Sequence, residues 1–263
     1  MIYPEPLPHG ELHHIIDDIY MVTGSVEMKA PHPKFGPFKM TFSRNMMVIK
    51  QGSELILVNS VRLNEKGIAQ LDELGDVTHV VRLAAFHGFD DPFYKETFKA
   101  TLWSVEAPYV RGFTKSSKAE YYRADRILKP GSELPIKGAS YHEFATSHPK
   151  EGLILLEREG GILLAGDSMQ NWPKPDKYFN WFAKIMMKRM GFIAPSNFGP
   201  GWLELAKPEK DELMEKARLD YSVLLPAHGN PIMANAQQGF IRAAEQAILR
   251  KCMGINKTNP KPT

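Results

Sequence analysis

The chain has a single cysteine, Cys252, among its 263 residues. One thiol excludes an internal disulfide and any zinc cage built on cysteines, and it fits a reducing compartment. An excess of one charge sign is also lacking. There are 33 Lys and Arg against 30 Asp and Glu, for a formal net charge of +3. No dense Lys/Arg block occurs, so nucleic acid is not an expected partner. No uncharged apolar run is long enough to span a bilayer. The start, Met1-Ile2-Tyr3-Pro4-Glu5-Pro6, has no basic stretch followed by an apolar one, so no signal peptide is expected and the expected location is cytoplasmic. No Gly/Ser linker and no internal repeat divide the chain. The expectation is one domain over residues 1–263, with a Pro-rich extended arm at 1–11 and a polar tail at 256–263.

What is present is a series of short apolar runs separated by turn signals. Ile15 to Val26 reads as a hairpin turning at Asp17-Asp18, and residues 29–38 as a Pro/Gly loop. Met46–Lys50 and Glu54–Asn59 flank the turn Gln51-Gly52-Ser53. Asn64 to Leu74 predicts a helix, with Asn64 as N-cap and Gly75 just past its end. Strands are expected at 77–83, 102–107, 134–136, 140–145, 153–157, 162–165 and 222–225, and residues 111–126 read as polar surface. Helices are expected at 91–99, 176–192, 211–219 and 235–251. Strands then helices, twice over, imply two sheets packed face to face with helices outside.

Four of the runs end alike. Val80 to Phe86 delivers His87, Asp90 and Asp91. Phe144 leads to His148, Ile162–Ala165 to Asp167, and Val223–Pro226 to His228. Polar groups just past buried strands are costly unless paired or used. Each alone has an ordinary structural reading, as a hydrogen-bonded strand-end His or a turn-closing Asp. Their recurrence points to one shared site at a sheet edge. Imidazole nitrogen and carboxylate oxygen together suit zinc, iron or manganese.

With these residues in view, the chain resembles the metallo-β-lactamase fold superfamily over roughly residues 12–250. The family signature is His-x-His-x-Asp-His after a strand, then His, Asp and His at later strand ends. His87-Gly88-Phe89-Asp90-Asp91-Pro92 lies at the signature, with His87 matching its first His and Asp91 its Asp. His148 matches the next His, Asp167 the metal-bridging Asp and His228 the last His. Phe89 and Pro92 stand where two further histidines belong. The resemblance implies an α+β fold, a four-layer αββα sandwich of two mixed sheets. It implies metal ligands drawn from His87, Asp91, His148, Asp167 and His228. With one ligand missing from each half-site, it implies a single divalent metal, zinc before iron or manganese, or none. Asp90 and His142 are the substitutes within reach of the motif.

The expected function is hydrolysis of a small ester, thioester, lactone or phosphoester by metal-activated water, with Asp91 orienting that water or accepting its proton. The alternative is a non-catalytic binding or interaction protein on the same fold, its histidines and aspartates bonded to one another. Residues 178–190 are rich in aromatics and Met, with Phe179, Phe182, Met186 and Met190 on one helical face. The segment reads as a core helix, a homo-oligomer interface, or a lid favouring an apolar substrate.

Overall fold

Strands that are apolar on both faces end up covered on both faces, and two stacks of such strands form the centre of the molecule. The computed structural model describes residues 3–30, 38–110 and 120–252. The first sheet opens with β1 (His13–Ile16), β2 (Ile19–Ala30), β3 (Phe38–Gln51) and β4 (Glu54–Val58), all antiparallel. Helix α1 (Glu65–Leu74) crosses over to β5 (Asp76–Arg82), parallel to β4. Helix α2 (Asp91–Phe98) leads to β6 (Thr101–Ser104), parallel to β5. A small pair, β7 (Tyr109–Val110) with β8 (Glu120–Tyr122), precedes β9 (Arg126–Ile127), which completes a seven-stranded sheet in the order β1-β2-β3-β4-β5-β6-β9.

The second sheet begins with β10 (Ala139–Phe144), β11 (Glu151–Leu156) and β12 (Ile162–Ala165). A long excursion follows through β13 (Met169–Gln170), α3 (Trp181–Arg189), β14 (Asn197–Phe198), α4 (Pro200–Ala206) and α5 (Lys210–Ala217). The chain returns as β15 (Val223–Pro226), parallel to β12, and ends in α6 (Ala236–Cys252). The four-stranded order is β10-β11-β12-β15.

Alternation assigns the faces. Ile154, Leu156, Ile162, Leu164, Val223 and Leu225 meet Ile49, Ile56, Val58 and Val81 between the sheets. Their neighbours Leu153, Leu155, Leu163 and Leu224 face Trp202, Leu213 and Phe240 of α4, α5 and α6. On the far side, Leu71 of α1 and Phe93 and Tyr94 of α2 cover Val48, Leu55, Leu57 and Val80. Burying a Leu or Ile side chain is worth about 1.5–3 kcal/mol, so strands buried on both faces dominate the stability. The result is the expected four-layer αββα sandwich.

Local signals account for several boundaries. The Asn64 side chain accepts from Gly67 N–H at 2.9 Å and caps α1, and Gly75 N–H closes its end on Leu71 O. Three expectations need correction. Residues 134–136 form no strand, because the amide side chain of Gln51 takes the backbone groups there, donating to Pro135 O and accepting from Lys137 N–H. The helix expected over 176–192 is only Trp181–Arg189. Asn180 caps it, and the Asn180 backbone and side chain are tied to Thr41 O and Lys39 O of β3. Helix α4, hidden in a Pro-Gly start, was not expected. Most of the Pro/Gly loop (31–37), residues 111–119 and the 256–263 tail lie outside the described residues. Among the described residues no helix is long and apolar enough to cross a membrane.

Candidate metal centre

Topology brings Asp167 and His228 together. β12 and β15 are parallel neighbours in a register that pairs Ala165 with Pro226, so residues two positions beyond each partner emerge at the same level. His87 arrives from the other sheet, five residues past the end of β5. The two sheet edges are stitched at this point: Gly152 N–H donates to Leu83 O, and the Asn59 side chain donates to Ala165 O at 3.1 Å. Gly88 makes the turn behind His87. It has φ +95, and a Cβ there would lie 2.5 Å from the Tyr109 ring and 2.8 Å from Asp91 Oδ2.

One ligand atom from each of His87, Asp167 and His228 falls within 4.8 Å of the others. His228 Nε2 lies 3.1 Å from Asp167 Oδ1, and His87 Nε2 lies 3.4 Å from Asp167 Oδ2. The three side chains are 4, 14 and 8 % exposed in the order His87, Asp167, His228. His228 Nδ1 lies 3.1 Å from the carbonyl of Ser43. Both nitrogens of this ring therefore face oxygen acceptors, and a neutral imidazole carries one proton only. Full satisfaction needs either a second proton or a cation at Nε2. Asp167 Oδ2 is buried and has no hydrogen bond.

The electrostatics favour the same reading. Burial pushes the His87 imidazole below its ordinary value, with Asp167 opposing. Burial would raise Asp167, but the two imidazoles outweigh it and hold the carboxyl well below its usual range. Two imidazole nitrogens and an ionised carboxylate, all poorly hydrated, are a donor set that divalent zinc accepts with one position left open. The residues present fit such an ion.

Two sequence candidates stand apart from this cluster. Asp91 is fully buried, with Oδ1 taking the Ser60 hydroxyl and Oδ2 the Tyr109 hydroxyl, each at 2.5 Å. Burial raises its carboxyl above the ordinary value. The expected role in handling the site's water is thus not the role its contacts give it. His148 is exposed. The turn before it is drawn towards α5, where Glu212 accepts from Ala145 N–H and Thr146 N–H, and His148 N–H itself donates to Ala206 O. Asp90 pairs with Arg44 at 2.5 Å, and His142 Nε2 lies 3.0 Å from the Ser140 hydroxyl, so neither substitutes as a ligand.

Sequence reading missed the supports. Glu151 is buried, accepts from Ser168 N–H at 2.5 Å and steadies the Asp167 segment. Burial and the charge of Asp167 push its carboxyl well up. Its signal was a lone acid at the head of the apolar run Gly152–Leu156. Asn45 clamps the His228 loop, its side chain donating to Pro226 O at 2.9 Å and Gly229 O at 2.7 Å. Phe42 and Trp172 wall the His228 ring at centroid distances of 6.0 and 5.2 Å.

No protein-family model matches the sequence, and no curated protein matches it either. Solved structures do match. The DIM-1 metallo-β-lactamase aligns with a TM-score of 0.60 at 14 % identity, over 93 % of this chain and 100 % of that one. FIM-1 from Pseudomonas aeruginosa, in a mono-zinc form, aligns at 0.58 and 12 % identity over 93 % and 98 %. A metallo-β-lactamase from Hirschia baltica aligns at 0.54 and 14 % identity over 90 % and 98 %.

Proposed function

From the metallo-β-lactamase fold, which this chain shares with those enzymes, we propose a metal-dependent hydrolase holding one divalent ion on His87, Asp167 and His228. The observation that carries the reading is the buried, unbonded Oδ2 of Asp167 between two imidazoles. Zinc suits two nitrogens and one oxygen best, with iron or manganese as alternatives. A bound ion of this kind supplies an acidified water and polarises a carbonyl or phosphoryl oxygen.

The chain's own residues prepare that chemistry. The Ser43 carbonyl orients His228, so that Nε2 faces Asp167. Glu151 fixes the backbone just after Asp167. Phe42 and Trp172 keep water from the flank of His228. Phe89, two residues past His87 and partly exposed, adds apolar surface near the motif. The substrate class that fits is a small ester, thioester, lactone or phosphoester with an apolar portion. The low exposure of all three donors favours a second reading, a binding module that keeps the fold without turnover.

The test is metal content by elemental mass spectrometry on protein purified without nickel or chelator. Wild type is expected to carry about one ion per chain, with D167N and H228A folded by circular dichroism but empty. A wild type that stays empty after soaking in zinc, iron and manganese overturns the hydrolase and leaves the binding module.

A further inference from the structure

Helix α3 buries one side and leaves the other bare. Ala183 and Met187 face inward on a cluster with Met40, Phe42, Trp172 and Phe179, while Phe182 stacks on Phe38 at 4.7 Å. The outward side is led by Trp181 and Ile185, one turn apart and 69 and 46 % exposed. At about 100° per residue, Lys184 and Lys188 flank that pair on one side and Arg189 on the other. Residues 174–189 hold five basic groups, Lys174 and Lys177 being the other two, against the single acid Asp176. Asp176 is occupied locally, accepting from Tyr178 N–H at 2.9 Å. Lys184, Lys188 and Arg189 form no ion pair among the described residues, while the nearby acid Glu27 is already paired with Lys39.

An exposed tryptophan beside an exposed isoleucine, ringed by unpaired cations, is the pattern of a helix lying in a membrane interface. A second copy of this chain is a poor occupant, since a symmetric pair sets each cluster of cations against its twin. We propose that the outer face of α3 docks peripherally on an anionic phospholipid surface, the indole and isoleucine entering the headgroup layer and the basic side chains meeting lipid phosphates and carboxylates. This goes beyond the hydrolase reading and does not rest on it. The face is also one aromatic layer from the metal centre: Phe179, just before the helix, packs on Trp172 at 5.4 Å, and Trp172 packs on His228.

The test is sedimentation of the full chain with vesicles of phosphatidylcholine alone and of phosphatidylcholine with phosphatidylserine, alongside tryptophan emission. Trp172 and Trp202 are buried, and Trp103 is half-buried with its indole N–H on His79 Nδ1, so a blue shift on adding phosphatidylserine vesicles is expected from Trp181 and should vanish in W181F. Each cation near an anionic surface is worth about fivefold in affinity, so K184E/K188E should bind at least about 25-fold more weakly. The four substituted positions, 181, 184, 185 and 188, are outward-facing, and unchanged thermal melts check that the variants fold. Absence of binding to phosphatidylserine vesicles overturns the proposal, as does equal binding to phosphatidylcholine alone or by K184E/K188E. A concentration-dependent dimer lost in W181E/I185E, without vesicle binding, also overturns it and assigns the face to self-association.

Discussion

Two aspartates, Asp91 fully buried and Asp167 with 14 % of its side chain exposed, have opposite fates. Asp91 has both oxygens filled by hydroxyls, and burial pushes it towards the neutral acid. Beneath Tyr109 lies the Arg82 guanidinium, 3.6 Å from the ring centroid and bonded to Ser104 and the Ala107–Pro108 carbonyls. That network is closed. Asp167 is held ionised, with one oxygen on His228 and the other without a hydrogen bond. Both carboxyls are largely shielded from water, so shielding alone does not distinguish a site from a strut. The distinction lies in whether the partners leave a lone pair free and a charge to be met.

Breaking the strut should have the largest effect on stability. Asp91→Ala leaves the buried Ser60 and Tyr109 hydroxyls without their acceptor, and should destabilise the fold by about 3 kcal/mol by urea unfolding. Metal per folded chain should stay as in wild type. A fall in metal content would mean that Asp91 belongs to the site after all.

A pH series sharpens the contrast. The folded Asp167 carboxyl lies below its unfolded value, so its stabilisation is present above that value and lost as pH falls through the folded one. The folded Asp91 carboxyl lies above its unfolded value, so its contribution is fully present below the unfolded value and lost as pH rises through the folded one. In metal-free protein between about pH 3 and 7, D167N should remove stability at the upper end of the range and D91N should flatten a decline towards it. Slopes of the same sign in the two variants would refute the distinction.

The smallest effect is expected from His148→Ala. An exposed imidazole outside both networks should change stability by no more than about 0.5 kcal/mol and leave metal content intact. Loss of the ion in this variant would return His148 to the ligand set.

Much of the architecture was legible because it depends on local pattern. The apolar runs, the Asn64 cap and Pro92 in the first turn of α2 each report on their own neighbourhood. The strand-end positions of His87, Asp167 and His228 could be read in the same way. What could not be read is the direction in which a side chain leaves its strand when a distant group steers the turn. His148 is turned outward as Glu212 holds the Ala145 and Thr146 N–H groups before it and Ala206 O accepts from its own N–H, partners that follow it by more than fifty residues in the chain. Asp91 is claimed by Ser60 and Tyr109, two residues with no motif to announce them. Glu151 was overlooked for the converse reason: a single acid in an apolar run looks like a strand start until the fold places it against Asp167.

The pairing of β12 with β15 has a consequence for the order of events in folding. β10, β11 and β12 join through short turns, but β15 arrives only after β13, three helices and β14 have been laid down. Until it docks, Asp167 and His228 are far apart, and no unfolded or half-folded chain presents the complete set of donors. An ion that needs all three therefore binds the native state alone, and each tenfold rise in its free concentration above the dissociation constant adds about 1.4 kcal/mol to the stability of the whole sandwich. The midpoint of thermal unfolding then becomes a gauge of metal occupancy.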